Sequence, residues 1–276
     1  MSDEAERSHT LTSAERMENI RKAEIGPESL GIWFLGQNGF LLKTSNGIRI
    51  AIDPYLTNAC GEKYASSPLD LSRVIPTPLE PEDLDVDVVL ISHSHEDHLD
   101  EATLRRLPCT PWIIAPFQAM QHVREWGISE QKQILLHPSE SLKLLGVNIE
   151  GTFALPTDDT DLNHIGLKCT FDNGITFYNT GDTAYAQQLE DLLPKDVDVC
   201  AICINGRFHN LSSSDAARLV KTIRPNVVIP THYDLMACNQ SDPENFRIAL
   251  LHADCTATYC RLGYDEPLIY TRGQLR

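Results

Sequence analysis

Short apolar runs separated by polar turns dominate the early part of the chain and predict β-strands. Gly31 to Leu35 and Phe40 to Thr44 are apolar and aromatic, and Asn46-Gly47 is a tight-turn signal before the apolar run Ile48 to Ile52. The next segment, Thr57 to Asp83, is rich in proline, serine and charge and has little periodicity. We therefore predict a β-rich start followed by one long connection, and such connections often border active sites.

Helix-like and strand-like segments are interleaved over the whole chain. The predicted helices are Ser13 to Ala23, Glu101 to Leu107, Phe117 to Trp126, Tyr185 to Leu193, Ser214 to Ile223 and Pro243 to His252. The predicted strands beyond the long connection are Val86 to Ile91, Trp112 to Ala115, Gln133 to Leu136, Ser141 to Leu145, Val147 to Leu155, Ile165 to Phe171, Ile175 to Tyr178, Val197 to Ile204, Val227 to Ile229 and Thr256 to Arg261. Each half of the chain is β-rich at first and then alternates β with α. This order favours an α/β fold, an αββα sandwich of two mixed β-sheets packed face to face with helices on the outer faces.

The bulk composition indicates one globular domain behind a polar lead. The lead comprises residues 1–28, and residues 29–276 are predicted to form a single domain, since 42% hydrophobic residues suffice for a sizeable core. No run reaches the ~20 apolar residues of a membrane helix. Met1 to Arg16 also lacks the apolar centre of a signal peptide. Eight scattered cysteines suit a reducing compartment, so we expect a cytoplasmic protein.

The net charge narrows the range of partners. It is −16 at pH 7, and such an acidic surface repels nucleic acid and anionic membranes, because nonspecific nucleic-acid affinity comes from neutralising phosphates. We therefore expect a small-molecule substrate, with no nucleic-acid partner and no membrane partner. A homo-oligomer is compatible with the sequence.

The segment His93-Ser94-His95-Glu96-Asp97-His98 concentrates metal-ligand chemistry directly after an apolar strand. On a helix, His93 and His95 would point roughly 200° apart, and on a strand His98 would face away from the others. Their side chains converge only if the chain leaves the strand and turns there. Imidazole nitrogen and carboxylate oxygen suit zinc, manganese or iron, and a solvated polar loop is the alternative interpretation.

A two-metal site needs further ligands, and three residues near the ends of predicted strands are candidates. Asp182 follows one strand, although an aspartate in a tight turn is the plain alternative. His232 follows another, where an isolated histidine is ordinarily a surface or capping residue. His164 precedes a third, and its loop carries competing carboxylates at Asp158, Asp159 and Asp161.

These residues resemble the metallo-β-lactamase superfamily of metal-dependent hydrolases, which shares the His-x-His-x-Asp-His run, a later Gly-Asp-Thr and a late strand-ending histidine. Within the superfamily, the segments Ile32 to Gly36, Arg73 to Pro81, Thr180 to Asp182 with Tyr185, and Ile229 to Asp234 are most similar to the L-ascorbate-6-phosphate lactonase group. The resemblance covers about Gly31 to Arg261 and implies the fold predicted above.

The resemblance also implies a ligand set for two divalent metal ions, Zn or Mn, with Fe as a further option. The first ion would be held by His93, His95 and His164. The second would be held by Asp97, His98 and His232, with Asp182 bridging the two ions. Asp53 matches the superfamily's early aspartate, which supports the metal loop without touching metal.

The implied mechanism is attack by a metal-bridging hydroxide on an electrophilic carbonyl or phosphorus. Asp97 is the predicted proton carrier as well as a ligand, and Tyr233 or His209 would assist. Arg207 would pair with a substrate phosphate or carboxylate. The alternatives are a solvated loop position for His209 and a plain surface position for Arg207.

Three functions are compatible with these residues. The preferred one is opening of a lactone, such as a sugar-acid lactone with or without a phosphate. The alternative is a phosphodiesterase acting on a small phosphodiester. A non-catalytic metal-binding scaffold is disfavoured, because every required ligand position carries an acceptable residue.

Overall fold

The computed structural model describes residues 11–128, 130–264 and 266–274. Within them two seven-stranded β-sheets pack face to face with helices outside, which confirms the predicted αββα sandwich. The helices are α1 (Ser13–Lys22), α2 (Ala59–Lys63), α3 (Glu101–Arg106), α4 (Phe117–Glu125), α5 (Leu189–Leu192), α6 (Ser213–Ile223) and α7 (Pro243–His252). The strands are β1 (Ser29–Gly36), β2 (Gly39–Lys43), β3 (Arg49–Ile52), β4 (Val88–Leu90), β5 (Trp112–Ala115), β6 (Gln133–Leu135), β7 (Ser141–Leu144), β8 (Val147–Phe153), β9 (Ile165–Phe171), β10 (Thr176–Asn179), β11 (Val199–Cys203), β12 (Val227–Thr231), β13 (Thr258–Tyr259) and β14 (Leu268–Thr271).

Both sheets have the same arrangement of strands. The first has the order β14-β1-β2-β3-β4-β5-β6 and the second β13-β12-β11-β10-β9-β8-β7. In each sheet, three antiparallel pairs are followed by three parallel pairs. The predicted order of each half, β-rich and then alternating, is therefore confirmed. Because the parallel strands run in one direction, their carboxyl ends meet at one edge of each sheet.

Three apolar layers hold the sandwich together. The central layer lies between the sheets, where the rings of Phe40 on β2 and Phe177 on β10 are 5.3 Å apart. The first sheet packs on its outer face against helices through residues such as Met17 of α1 and Met120 of α4. Phe246 of α7 belongs to the matching layer on the second sheet. Each such side chain contributes roughly 1.5–3 kcal/mol by leaving water.

Helix α1 ties the predicted polar lead to this core. Thr12 and Glu15 form a reciprocal cap at its start, and Met17 and Ile20 are buried against the first sheet. At its end, the buried ammonium of Lys43 donates to three main-chain carbonyls at 2.6–3.0 Å. Residues 1–10 of the lead lie outside the described residues.

Most predicted elements are confirmed. One predicted helix differs at its start, and the observed elements α2 and β14 were not predicted. The predicted helix Tyr185 to Leu193 is wrong over its first four residues, because the N–H of Ala184 donates to Leu155 and the chain then reaches α5 only through a turn at Gln187 and Gln188. The short helix α2 was not predicted within the long connection. Strand β14 was also missed, since its partner β1 lies far away in sequence. Among the described helices, none has the length and apolarity that a bilayer crossing requires.

Candidate metal centre

The predicted ligands come from both sheets and meet at one rim of the sandwich. In the first sheet, Asp53 follows β3 and the 93–98 loop follows β4. In the second sheet, His164 precedes β9, Asp182 follows β10 and His232 follows β12. These residues are far apart in sequence, and the structure brings them close together in space.

Direct main-chain bonds join the two sheets at this rim. The N–H of His232 donates to the carbonyl of Gln37 at 2.7 Å, and the N–H of Ile165 donates to Ser92 at 3.0 Å. Several of the turns require the left-handed region, with φ of 41° at Asp53 and 60° at His232. Such conformations cost about 1–3 kcal/mol each, so the surrounding packing must hold them.

Three imidazoles form the first ligand group. Metal-binding atoms of His93, His95 and His164 all lie within 4.8 Å of one another, and Nε2 of His93 is 3.0 Å from Nδ1 of His95. His164 donates through Nδ1 to the carbonyl of Asp182 at 3.1 Å, which leaves its Nε2 unprotonated. Burial lowers the pKa of both His93 and His164, so these rings are neutral and able to bind metal.

A carboxylate and two imidazoles form the second group. Oδ2 of Asp97 lies 3.1 Å from Nε2 of His232 and 3.7 Å from Nε2 of His98. Burial opposes charge on Asp97, but His98 and His232 lower its pKa well below the usual range. Burial likewise opposes charge on His232, yet Asp182 and Asp97 raise its pKa to about 9. In the metal-free protein this group therefore carries protons that a metal would displace.

Asp182 lies between the two groups. Its Oδ2 is 3.2 Å from Nε2 of His232, its Oδ1 is 3.4 Å from Nε2 of His98, and it forms a further ligand group with His93 and His98. Asn210 donates to Oδ2 at 2.6 Å and fixes the carboxylate. Bridging by Asp182 stays a prediction, and its position suits that role.

Orphaned polar atoms test whether these residues fit metal. Nε2 of His98, Nε2 of His164 and Oδ1 of Asp182 are buried without a hydrogen-bond partner. Leaving such atoms unpaired costs about 1–3 kcal/mol each. All three point into the ligand groups, where a divalent cation would satisfy them. Imidazole and carboxylate donors in this proportion fit Zn, Mn or Fe.

Asp53 supports the metal loop from beneath. It accepts hydrogen bonds from Nδ1 of His98 at 2.8 Å, from Nδ2 of Asn38 at 2.8 Å, and from the N–H and hydroxyl of Ser92 at 2.8 and 2.6 Å. The bond to Nδ1 leaves Nε2 of His98 free for metal.

The competing carboxylates of the His164 loop have other partners. Both oxygens of Asp161 accept main-chain N–H groups, from Ser94 at 2.7 Å and from Asn163 at 2.6 Å. Asp159 is exposed, and Oδ1 of Asp158 is 3.5 Å from Nε2 of His95. Of the three aspartates, only Asp158 has a carboxylate oxygen within 4 Å of a nitrogen of a predicted histidine ligand.

Sequence reasoning missed several amide and hydroxyl residues that contact the predicted ligands or Asp53. These residues are Gln37, Asn38, Ser92, Asn210 and Asn239. Asn239 places Nδ2 3.1 Å from Nδ1 of His232. The one available signal was a Gln-Asn pair directly after the strand that ends at Gly36.

A cavity of about 220 Å³ opens onto the metal centre. Its lining residues are Cys60, Tyr64, Leu71, His95, Glu96, Asp97, Thr157, Asp158, Thr160, Asp182, Phe208, Asn210, His232, Met236 and Asn239. The lining contains apolar side chains, such as Leu71 and Met236, as well as the carboxylates of Glu96, Asp97, Asp158 and Asp182. Among the described lining residues there is no lysine or arginine; Lys63 pairs with Glu96 but does not line the cavity.

The three residues predicted to assist proton transfer or to bind the substrate do not line the cavity. Arg207 is exposed. His209 is also exposed and donates through Nδ1 to the carbonyl of Thr157 at 2.8 Å. Tyr233 is buried, and its hydroxyl accepts from Arg261 at 3.3 Å. Their roles stay predictions, and Asp97 is the one predicted catalytic residue that lines the cavity.

Comparison with known proteins agrees with this geometry. The profile of the beta-lactamase superfamily domain matches residues 31–232. A UPF0173 metal-dependent hydrolase of Pyrobaculum arsenaticum is 31% identical over 78% of this chain and 88% of its own length. One from Thermoplasma acidophilum is 25% identical over 72% of this chain and 81% of its own. The solved structure of Igni18, a metallo hydrolase from Ignicoccus hospitalis, has the same fold, with a TM-score of 0.68, 23% identity and coverage of 88% of this chain and 98% of that one. The chain therefore belongs to the metallo-β-lactamase superfamily, in the family of UPF0173 metal-dependent hydrolases.

Proposed function

We propose that this protein is a metal-dependent hydrolase that opens a neutral lactone. The observation that carries the proposal is the composition of the cavity. Residues of both ligand groups line it, and its described lining contains no lysine or arginine. A phosphate on the substrate would find the carboxylates of Glu96 and Asp158 nearby and no lysine or arginine among the described lining residues to pair with. A cyclic ester without charge suits this lining better than a phosphodiester or a phosphorylated sugar lactone.

The arrangement of the ligand groups supports a site for each of two metals. His93, His95 and His164 would hold one ion, and Asp97, His98 and His232 the other, with Asp182 between them. Divalent ions there supply Lewis-acid activation of water and of the substrate carbonyl. The mixed nitrogen and oxygen donors accept Zn, Mn or Fe according to supply.

The chain's own residues orient the substrate and move the proton. Leu71, Phe208 and Met236, apolar side chains of the cavity lining, would contact the carbon skeleton and exclude water. Asp97 faces the cavity as a carboxylate, so it would take a proton from the attacking water as the new carbon–oxygen bond forms, and give it to the ring oxygen as the bond between the acyl carbon and the ring oxygen breaks.

A cytoplasmic location forms part of the same proposal. All eight cysteines are free thiols, although several lie in the core. Free thiols in this number suit a reducing compartment.

A hydrolysis screen of the metal-loaded protein tests the reaction class. We expect turnover of neutral lactones, loss of that turnover with a chelator, and none with bis-p-nitrophenyl phosphate. Turnover of the phosphodiester without lactone activity would favour the phosphodiesterase instead. The exposed variant Asp159→Asn, in the loop beside the cavity, serves as the matched control.

A pair of substrates tests the charge preference. Gluconolactone and its 6-phosphate differ by one phosphate group. We expect a higher kcat/KM for the neutral lactone, because the lining supplies no described cation to the phosphate. A preference for the phosphorylated lactone would contradict this part of the proposal.

A further inference from the structure

The side chain of Gln37 reaches the second ligand group from the turn between β1 and β2. It is only 1% exposed, and its Nε2 lies 2.6 Å from Oδ2 of Asp97 and 3.0 Å from Nε2 of His232. Both of these atoms belong to the group that would hold the second metal. The carboxamide thus occupies the same small space as the predicted ligands.

The spacing of these atoms matches the edges of a coordination shell. Ligands at metal distances of about 2.0–2.2 Å lie roughly 3–3.5 Å from their neighbours. The observed separations are 3.1 Å from Asp97 to His232 and 3.2 Å from His232 to Asp182. The two separations from Gln37, 2.6 and 3.0 Å, are slightly shorter, so its terminal atom lies beside the same ligand atoms.

The amide cannot keep its contact with His232 when metal binds. A metal at Nε2 of His232 replaces any proton on that atom and uses its lone pair, so Nε2 can no longer share a hydrogen bond with Gln37. The main chain of Gln37 is fixed, because its carbonyl accepts the N–H of His232 at 2.7 Å. The free adjustment is a half-turn of the carboxamide, a soft torsion that exchanges Nε2 for Oε1.

We propose that Gln37 is a further ligand of the second metal, which it binds through Oε1. This inference rests on the proposed metal centre. This ligand would give the two metal sites different donor atoms. Three imidazoles form the first site, whereas the second site gains a neutral oxygen donor. Oxygen donors favour harder cations such as Mn²⁺ over the imidazole-rich site's Zn²⁺.

Metal titration of the full chain tests this ligand directly. Wild type, Gln37→Ala, Gln37→Glu and the exposed control Gln187→Ala are dialysed against Mn²⁺ or Co²⁺ and analysed for metal content and cobalt absorption. We expect Gln37→Ala to keep the first equivalent and to bind the second about 10- to 100-fold more weakly. Gln37→Glu should bind the second more tightly, and both variants should change the spectrum of the second cobalt ion alone.

Unchanged or tighter binding of the second equivalent by Gln37→Ala would overturn the inference. Should the alanine variant fail to fold, Gln37→Glu tests the same point, because a carboxylate that leaves the second affinity and spectrum unaltered is not at the metal. Wild-type protein that takes up fewer than two equivalents would overturn the proposed metal centre itself, and the role of Gln37 with it. Normal two-metal loading without hydrolysis of any lactone would instead leave Gln37 in place and remove the proposed reaction.

Discussion

Nδ1 of His98 lies 2.8 Å from Oδ2 of Asp53, and both side chains are wholly buried at the ends of the neighbouring parallel strands β3 and β4. The carboxylate accepts the ring proton and so turns Nε2 of His98 towards the centre of the ligand groups. It also accepts the N–H and hydroxyl of Ser92, which fixes the start of the 93–98 loop. The geometry of the metal loop thus depends on a residue some forty positions earlier.

Replacing Asp53 by asparagine should weaken metal binding without removing a ligand. The asparagine side chain would turn an amide N–H donor towards groups that themselves donate hydrogen bonds. His98 would therefore lose its fixed orientation. We expect metal affinity to fall about 10- to 100-fold, as measured by competition with a chelating dye. The variant Asp159→Asn, which is exposed, should bind as wild type does. Equal affinity in both variants would show that Asp53 does not orient the loop.

The substitution Asp182→Ala should remove at least one metal equivalent and nearly all activity. Its carboxylate approaches both His98 and His232, so its loss weakens both ligand groups at once. Elemental analysis of the purified variant measures the metal content, with the exposed Asp191→Ala as control. A full metal content in Asp182→Ala would mean that the bridging role is misassigned.

Metal uptake near pH 7.5 should release protons. In the metal-free protein, the pKa of His232 is raised to about 9 and that of His98 is raised well above its usual value, in both cases by Asp182 and Asp97 against the effect of burial. A raised pKa means that the proton is still bound at pH 7.5, so a metal must displace it. Apparent affinity should therefore increase as pH rises towards 9.

Calorimetry in two buffers of different ionisation enthalpy measures the number of protons released. The same titration at pH 9.5 should release fewer, because His232 is then largely neutral. Binding heats that are independent of the buffer at pH 7.5 would contradict the protonated state of these histidines.

Asp198 provides a stability prediction away from the metal centre. It precedes β11 in the second sheet and accepts bonds from Tyr270 at 2.8 Å and Arg272 at 2.7 Å, residues at the end of β14 in the first sheet. Burial alone would raise the pKa of Asp198. Hydrogen bonds from Arg272 and from the N–H of Thr176 lower it by more, so the pKa lies below its ordinary value. Asp198→Ala should therefore lower the free energy of unfolding by about 2–3 kcal/mol near pH 7.

The pH dependence of that difference follows from the lowered pKa. Asp198 contributes its stability above the pKa of an unfolded aspartate, about 3.9, and loses it as pH falls through the lower folded pKa. Urea denaturation at pH 7, 4 and 3 should show the gap between wild type and Asp198→Ala narrowing in acid. If the difference in free energy of unfolding stayed constant over this pH range, the charge of the Asp198 carboxylate would not be its cause.

The metal loop could be predicted from sequence because its chemistry is dense and local. His93 to His98 place four ligand-type residues in six positions after a buried strand, and Asp182 and His232 each follow a strand as well. The helix Pro243–His252 was likewise predicted with its observed bounds, since Asp242 caps it and a proline opens it.

The supporting amides could not be predicted because their partners are remote. Gln37 and His232 are 195 positions apart, and a glutamine in a turn has no periodic signature that marks it. The same reason applies to β14, a four-residue edge strand whose pairing with β1 depends on tertiary contact rather than on a local turn. His209, Tyr233 and Arg207 were chosen because they follow strands near the rim, and position in sequence does not fix the direction in which a side chain points.

The pairing of β14 with β1 has a consequence for synthesis on the ribosome. Ser29 of β1 is matched to Thr271 of β14, so the outer side of β1 has no partner until Leu268–Thr271 has been made. At bacterial or eukaryotic elongation rates that interval lasts roughly 10–50 seconds. During it the nascent first sheet displays an open edge, which neighbouring chains can join. We expect co-translational chaperones to bind this protein at that edge. A stalled or prematurely cleaved chain that lacks β14 would keep the edge of β1 unpaired.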